Sequence, residues 1–163
     1  MPFEKDVQLM QPILPSASRI AISGIRDFTA DDATLVEKTV AQLLSTSRTE
    51  LRFGGARGTD TVALVTAGRL AVPNVLLTVI VPSTVSQQPV DAQEVIQKYA
   101  HKVVEMKLVL SDKRSYQQRN VALIAEADGL LAFWHGKPGG TANCINAARQ
   151  IGLPVEVVWL KGL

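Results

Sequence analysis

ELRFGGARGTDTVALVTAGRLAVPNVLLTVIV, residues 50–81, passes from strand to helix and back to strand. Glu50–Phe53 reads as a short strand that runs straight into Gly54-Gly55-Ala56-Arg57-Gly58-Thr59-Asp60. A largely apolar helix is expected from Thr61 to Ala71. Val75–Val81 (VLLTVIV) is a continuous apolar run of strand length, the pattern of a strand buried on both faces. A strand, a crossover helix and another strand form a βαβ unit, and such a unit makes a parallel pair.

The same alternation extends in both directions. Upstream, Arg19–Ser23 (RIAIS) is an apolar strand ending at Gly24. Thr29 follows as a helix cap with Asp32 as its capping-box partner. Ala33, Val36, Val40, Leu43 and Leu44 then recur at helical spacing. Downstream, Pro82–Pro89 is a polar loop, and Asp91 with Glu94 opens a helix through Ala92, Val95, Ile96 and Tyr99. Lys102–Met106 is a weaker strand. A helix over Ser115–Ala127 carries Tyr116, Leu123, Ile124 and Ala127 on one side. Gly129–Trp134 is a strand, and the loop His135–Gly140 follows it. A helix over Thr141–Ile151 stops at Gly152, with Pro154 just beyond, and Val155–Leu160 is the last strand.

Strands alternating with helices predict an α/β fold of the Rossmann-like, doubly wound kind, a mostly parallel sheet with helices on both faces. Residues 1–18, broken by Pro2, Pro12 and Pro15, are expected to form an N-terminal arm, and 19–163 a single domain. With 47% apolar and 20% charged residues, the chain supports an ordinary core. Aromatics are only 5%, which leaves that core to Val, Leu, Ile and Ala.

The formal charge of +2 does not indicate a polycation that holds nucleic acid by bulk charge, so anion binding must come from where charges sit. Cys144 is the only cysteine, which excludes an intrachain disulfide and a Cys-based zinc site. His101 and His135 lack metal-ligand spacing, so no metal site is expected. The first residues show no basic segment leading into an apolar one, and no apolar run approaches the ~18 residues of a membrane span. A cytoplasmic protein with no membrane partner is the expectation.

Ligands of open α/β sheets bind outside the carboxyl ends of the strands, where strand order reverses. Three segments at strand ends fit that position. They are Ser23-Gly24-Ile25-Arg26, Gly54–Asp60, and Pro138-Gly139-Gly140-Thr141. In the middle one the glycines let the backbone turn sharply, and the following helix opens with unpaired N–H groups that favour an anion. Arg57 is placed to fork onto a phosphate or carboxylate there, and Asp60 to brace the turn. In the last segment Gly139 and Gly140 precede a helix that Thr141 or Asn143 is placed to cap. Between them, Arg119 and Asn120 sit on a helix, and the Lys113-Arg114 pair at its start reads as surface.

The glycine spacing departs from both common nucleotide signatures. A P-loop ends in Gly-Lys-Ser/Thr, whereas Gly58 is followed by Thr59-Asp60. The dinucleotide fingerprint follows the first strand and needs an acid some ~20 residues on, which Val75–Val81 does not offer. NAD and ATPase chemistry are therefore disfavoured, and no cofactor is expected.

Phe53–Asp60 (FGGARGTD) is similar to the Ser-Gly-x-Ala-Arg-Gly-x-Asp loop of DNA-processing protein A, through Gly54, Ala56, Arg57, Gly58 and Asp60. Arg119-Asn120 resembles that family's Arg-Asn pair, and residues 138–141 resemble its Gly-rich turn before the last large helix. Over about residues 19–160 the chain therefore resembles the SLOG superfamily. This Rossmann-like group includes DNA-processing protein A, small stand-alone SLOG proteins and the Lonely-Guy phosphoribohydrolases. The phosphoribohydrolases carry Pro-Gly-Gly-x-Gly-Thr-x-x-Glu, whose glutamate takes part in hydrolysing the N-glycosidic bond. Here Asn146 or Cys144 falls at that position, depending on the alignment.

The resemblance implies a binding module for a nucleotide, a nucleotide-derived ligand or single-stranded nucleic-acid phosphates at the carboxyl edge of the sheet. Strand-end position and the resemblance together give the expected ligand set Ser23, Gly24, Arg26, Gly54, Gly55, Ala56, Arg57, Gly58, Thr59, Asp60, Arg119, Asn120, Gly139, Gly140 and Thr141. The alternative is an enzyme acting on nucleoside monophosphates, with Asp60 or Glu126 as acid–base group, disfavoured because the motif glutamate is absent. No catalytic residue is assigned. Single-stranded DNA is the macromolecular partner implied, and a homodimer is the expected assembly.

Overall fold

A computed structural model of the chain describes residues 12–109 and 113–163. Its strands are β1 (Arg19–Gly24), β2 (Glu50–Phe53), β3 (Leu76–Val81), β4 (Lys102–Glu105), β5 (Gly129–Trp134) and β6 (Val155–Trp159). The helices between them are α1 (Ala30–Leu43), α2 (Thr59–Leu70), α3 (Val90–Tyr99), α4 (Lys113–Ala125) and α5 (Gly140–Gln150), with a short 3-10 turn at Val85–Gln87. All five pairings are parallel, in the order β4-β3-β2-β1-β5-β6. The architecture is thus the Rossmann-like α/β sheet read from the sequence, and the described strands are wholly parallel.

Alternation along each central strand explains the layers. Ile20, Ile22, Leu51, Phe53, Leu131 and Phe133 face one side and pack with Val36, Val40, Leu64 and Ile96 of α1, α2 and α3. Ala21, Leu130 and Ala132 face the other and pack with Leu123, Ile124, Ile145 and Ala148 of α4 and α5. Both faces of the sheet are covered, so its central strands tolerate no polar alternation. Two buried charges on β2 are the exception. Arg52 donates from Nε to the Leu123 carbonyl at 2.9 Å and from Nη2 to Ala122 at 3.1 Å, capping the end of α4. Glu50 pairs with Arg52 at 3.3 Å and accepts the Thr78 hydroxyl at 2.6 Å.

Helix ends follow local chemistry. Thr29 and Asp32 form the reciprocal capping box, at 3.1 and 3.2 Å. α5 ends in a Schellman motif, with Gly152 at φ +75° donating to Arg149 and Leu153 donating to Ala148. α2 begins at Thr59, two residues earlier than its sequence suggests. The Thr59 N–H and hydroxyl both bond the Ile25 carbonyl, at 3.2 and 2.7 Å, which pins the first turn against the β1 loop. α4 spans Lys113–Ala125, displaced by two residues from the expected Ser115–Ala127.

Of the expected N-terminal arm, residues 1–11 lie outside the described residues. Ile13 and Ala17 join the core, and Arg48 donates to the carbonyls of Ile13, Leu14 and Ala17 as well as to Leu43. That segment is therefore fastened to the end of α1 by one buried guanidinium. Among the described residues no helix is long and apolar enough to cross a membrane.

Candidate functional site

Successive strands move outward from β1 in one direction, and the chain then returns to place β5 on its other side. The loops leaving β1 and β5 consequently part, and a crevice opens at the carboxyl edge between them. A cleft of about 920 Å³ occupies this place, within the usual size range of ligand pockets. Ser23, Gly24, Arg26 and Asp27 line it from the β1 loop, Ala56 and Asp60 from the β2 loop, and Lys113, Tyr116, Arg119 and Asn120 from α4. Trp134, His135 and Lys137 through Thr141 line it from the β5 loop.

The floor is polar and largely self-satisfied. Arg119 is only 7% exposed. Its Nε donates to Asn120 Oδ1 at 3.1 Å and its Nη1 to the Gly54 carbonyl. Asn120 in turn donates from Nδ2 to the Gly140 carbonyl at 3.3 Å, so the Arg-Asn pair ties the β2 loop to the start of α5. A Cβ on Gly54 would stand 2.7 Å from Arg119 Nη1, which is why that position carries no side chain. Burial lowers the pKa of the Arg119 guanidinium, and the neighbouring Asp60 charge opposes that shift. Asp60 is itself buried, and its Oδ2 accepts the Ala56 N–H at 3.2 Å. Desolvation pushes its carboxyl up to about 6, against the lowering influence of Arg119, the Ala56 and Gly54 N–H groups and Arg26.

Above the floor stand the cations and aromatics. The Arg26 guanidinium lies 5.4 Å from the Tyr116 ring centroid and that of Arg119 at 5.9 Å, both within cation–π range of one ring. Trp134 donates its indole N–H to the Lys137 carbonyl at 2.8 Å and packs on Trp159 with centroids 5.4 Å apart. These contacts fix the shape of the β5 loop.

That loop delivers the amino terminus of α5 into the cleft. Its N-cap is Gly139, and among the described residues no side chain caps it. This corrects the expectation that Thr141 or Asn143 does so. Thr141 lies inside the first turn, and the Asn143 N–H makes the first helical bond, to Gly139, at 3.0 Å. A Cβ at Gly139 or Gly140 would meet nothing within 4 Å among the described residues, and Gly139, Gly140 and Thr141 line the cleft, so the uncapped first turn borders it.

Ten of the fifteen residues expected from the sequence line this cleft: Ser23, Gly24, Arg26, Ala56, Asp60, Arg119, Asn120, Gly139, Gly140 and Thr141. Gly54, Gly55, Arg57, Gly58 and Thr59 do not line it. Gly58, at φ +81°, allows the loop to pass against the backbone of Arg26, where a Cβ would collide. Gly24 similarly admits the side chain of Thr59. Gly55 turns toward Val79 and Val81, and its carbonyl accepts from Gln88 at 2.6 Å. Arg57 is exposed and pairs with Asp27 at 3.1 Å.

The lining also includes Lys113, Tyr116, Trp134 and Lys137, which the sequence offers as basic and aromatic groups near these loops, and His135, which it does not single out. One signal for two of them is present in the sequence: Lys113, Tyr116 and Asn120 are spaced three and four apart, on one helical face with Arg119 beside them. Cys144 and Asn146, the positions aligned with the phosphoribohydrolase glutamate, are absent from the lining. Cys144 is fully buried, and burial pushes its thiol up to about 11, while Asn146 is exposed on α5.

No family model and no curated protein matches the chain. Solved structures do. DNA processing protein A from Helicobacter pylori, described for its mode of binding single-stranded DNA, superposes with a TM-score of 0.68 at 22% identity. The match covers 93% of this chain and 68% of that one. DNA processing protein A from Streptococcus pneumoniae superposes with a TM-score of 0.67 at 20% identity, over 91% of this chain and 50% of that one. The chain has the core fold of DNA processing protein A. It spans about two thirds and one half of the lengths of these two DNA processing protein A chains.

Proposed function

We propose that the cleft binds nucleotide phosphates, with single-stranded nucleic acid as the polymeric ligand, in a chain of the SLOG superfamily. The observation that carries this reading is the uncapped start of α5, which opens into the same cleft as Arg26, Lys113 and Lys137. Unpaired helix N–H groups and nearby cations are the donors a phosphate needs. Tyr116 and Trp134 bring aromatic surface to the same wall, and stacking platforms beside a cationic groove are the general means of holding single strands. The shared fold with a protein described as binding single-stranded DNA supports the polymeric form of the ligand.

Fluorescence anisotropy with a short labelled oligonucleotide tests it. Single-stranded DNA is expected to bind at low salt and to weaken steeply as salt rises, because phosphate contacts release counterions. AMP is expected to compete, and duplex DNA to bind more weakly because its bases are already stacked. No binding of the single strand at low salt overturns the polymeric ligand, and no binding of AMP either overturns the whole reading.

A further inference from the structure

Asp60 holds a buried polar atom that the described residues do not satisfy. The residue is 6% exposed, lines the cleft, and uses Oδ2 to accept the Ala56 N–H at 3.2 Å. Its Oδ1 is buried and has no hydrogen-bond partner among the described residues. Arg119, the nearest compensating charge, has turned Nε to Asn120 and Nη1 to Gly54. Buried acceptors are nearly always paired, and an orphan on a residue that lines a ligand cleft has room for a partner from the ligand or from an ordered water. A fully ionised phosphate does not suit the ionised carboxylate, since it brings acceptor oxygens and negative charge. An O–H or N–H group does.

We infer that Asp60 Oδ1 accepts a hydrogen bond from a neutral donor on the nucleoside, a sugar hydroxyl or a base amino group, while the phosphate sits at the start of α5. The inference rests on the nucleotide reading above and narrows it. The cleft is lined by cations for phosphate, Arg26 and Lys137 beside the first turn of α5, and by the Asp60 acceptor. It therefore selects nucleotides over bare phosphate or pyrophosphate. Asp60→Asn reverses the chemistry with little change of shape. The amide oxygen must stay on the Ala56 N–H, so the NH2 group replaces Oδ1 and faces the ligand as a donor.

Calorimetric titration of the full chain tests this with AMP and pyrophosphate. The wild type is expected to bind AMP about tenfold tighter than pyrophosphate or better, equivalent to about 1.4 kcal/mol. Asp60→Asn is expected to weaken AMP about tenfold and to leave pyrophosphate unchanged or tighter. Two analogues provide an arm that needs no variant: 2′,3′-dideoxyadenosine monophosphate lacks the hydroxyls, and purine riboside monophosphate lacks the amine. One of them is expected to bind about tenfold weaker than AMP, and which one identifies the donor. Both binding as tightly as AMP overturns the inference, as does an Asp60→Asn variant that affects AMP and pyrophosphate alike. Equal binding of AMP and pyrophosphate by the wild type overturns it too, while leaving phosphate binding intact. Binding of neither, with no binding of single strands, overturns the nucleotide reading itself.

Discussion

Arg57 donates to Asp27 at 3.1 Å, with the two side chains 56% and 62% exposed. The sequence marks Arg57 as the guanidinium of a glycine-rich anion loop, yet its partner is a carboxylate of the neighbouring loop and it lies outside the cleft lining. Exposed pairs of this kind contribute roughly 0–1 kcal/mol. Arg57→Ala is therefore expected to lower the unfolding free energy by less than about 1 kcal/mol. It is also expected to weaken single-strand binding less than Arg26→Ala does. Urea unfolding and anisotropy on the same variants check both, and a larger binding loss for Arg57→Ala would return it to the phosphate.

Arg26 and Tyr116 are expected to act as a unit, since the guanidinium lies over the ring. Tyr116→Ala is expected to weaken single-strand binding by about 1–3 kcal/mol, the range for loss of one stacking aromatic. Arg26→Ala is expected to reduce the slope of log affinity against log salt by about 1. The double variant should lose less than the sum of the two. Strict additivity would show that the cation–π contact does not position Arg26.

Much of the fold is legible in the sequence because parallel strands buried on both faces are nearly uniform in hydrophobicity, as in VLLTVIV and GLLAFW, and because Thr29, Asp32 and Gly152 announce helix ends. The cleft is less legible. The strand order that brings the β1 and β5 loops together is set by the return of the chain across β1, which no local spacing records. Arg119 reads as half of an Arg-Asn pair on a helix, and Arg57 as the anion ligand of a glycine-rich loop. The burial of the first depends on a carbonyl 65 residues away, and the exposure of the second on a carboxylate 30 residues away. Arg48 and Arg52 are missed for the same reason, since the carbonyls they satisfy belong to distant helix ends and loops.

Asp32 is expected to be among the most sensitive polar positions. Its carboxylate accepts from Thr29 N–H at 3.2 Å and from Lys161 and Gly162 N–H at 2.9 Å each. Burial acts to raise its pKa, but these donors outweigh burial and hold it below the ordinary value. Asp32→Ala is expected to cost about 2 kcal/mol or more, combining a lost cap with lost charge-assisted bonds. A depressed carboxyl contributes above its unfolded pKa, and the contribution is lost as the pH falls through the folded value. The deficit of the variant in urea unfolding should therefore shrink in acid.

Hydrolysis of the N-glycosidic bond is not expected. Neither Cys144 nor Asn146 is a carboxylate, and neither lines the cleft. Incubation of the purified chain with AMP should release no adenine by chromatography. Sustained release that Asp60→Asn abolishes would make the site catalytic and place Asp60 in the reaction.

Asp60 also makes a prediction for the unliganded protein. Burial raises its carboxyl from the ordinary 3.8 to about 6, against Arg119, Arg26 and the Ala56 and Gly54 N–H groups, with the Cys144 thiol nearby on α5. A raised folded pKa means that the native state holds the proton more tightly than the unfolded chain does. The stabilisation is fully present below the unfolded value and is lost as the pH rises through about 6. At about 1.4 kcal/mol per pH unit, the loss reaches up to about 3 kcal/mol. Other carboxylates pull the opposite way, Asp32 and Asp128 being held below their ordinary values, so the total curve does not isolate Asp60. The difference between wild type and Asp60→Asn does. The variant is expected to gain stability relative to the wild type between pH 4 and pH 7, with most of the change complete by about pH 6.5. Parallel pH dependence of the two proteins in urea unfolding would show that the Asp60 carboxyl titrates in its ordinary range despite its burial.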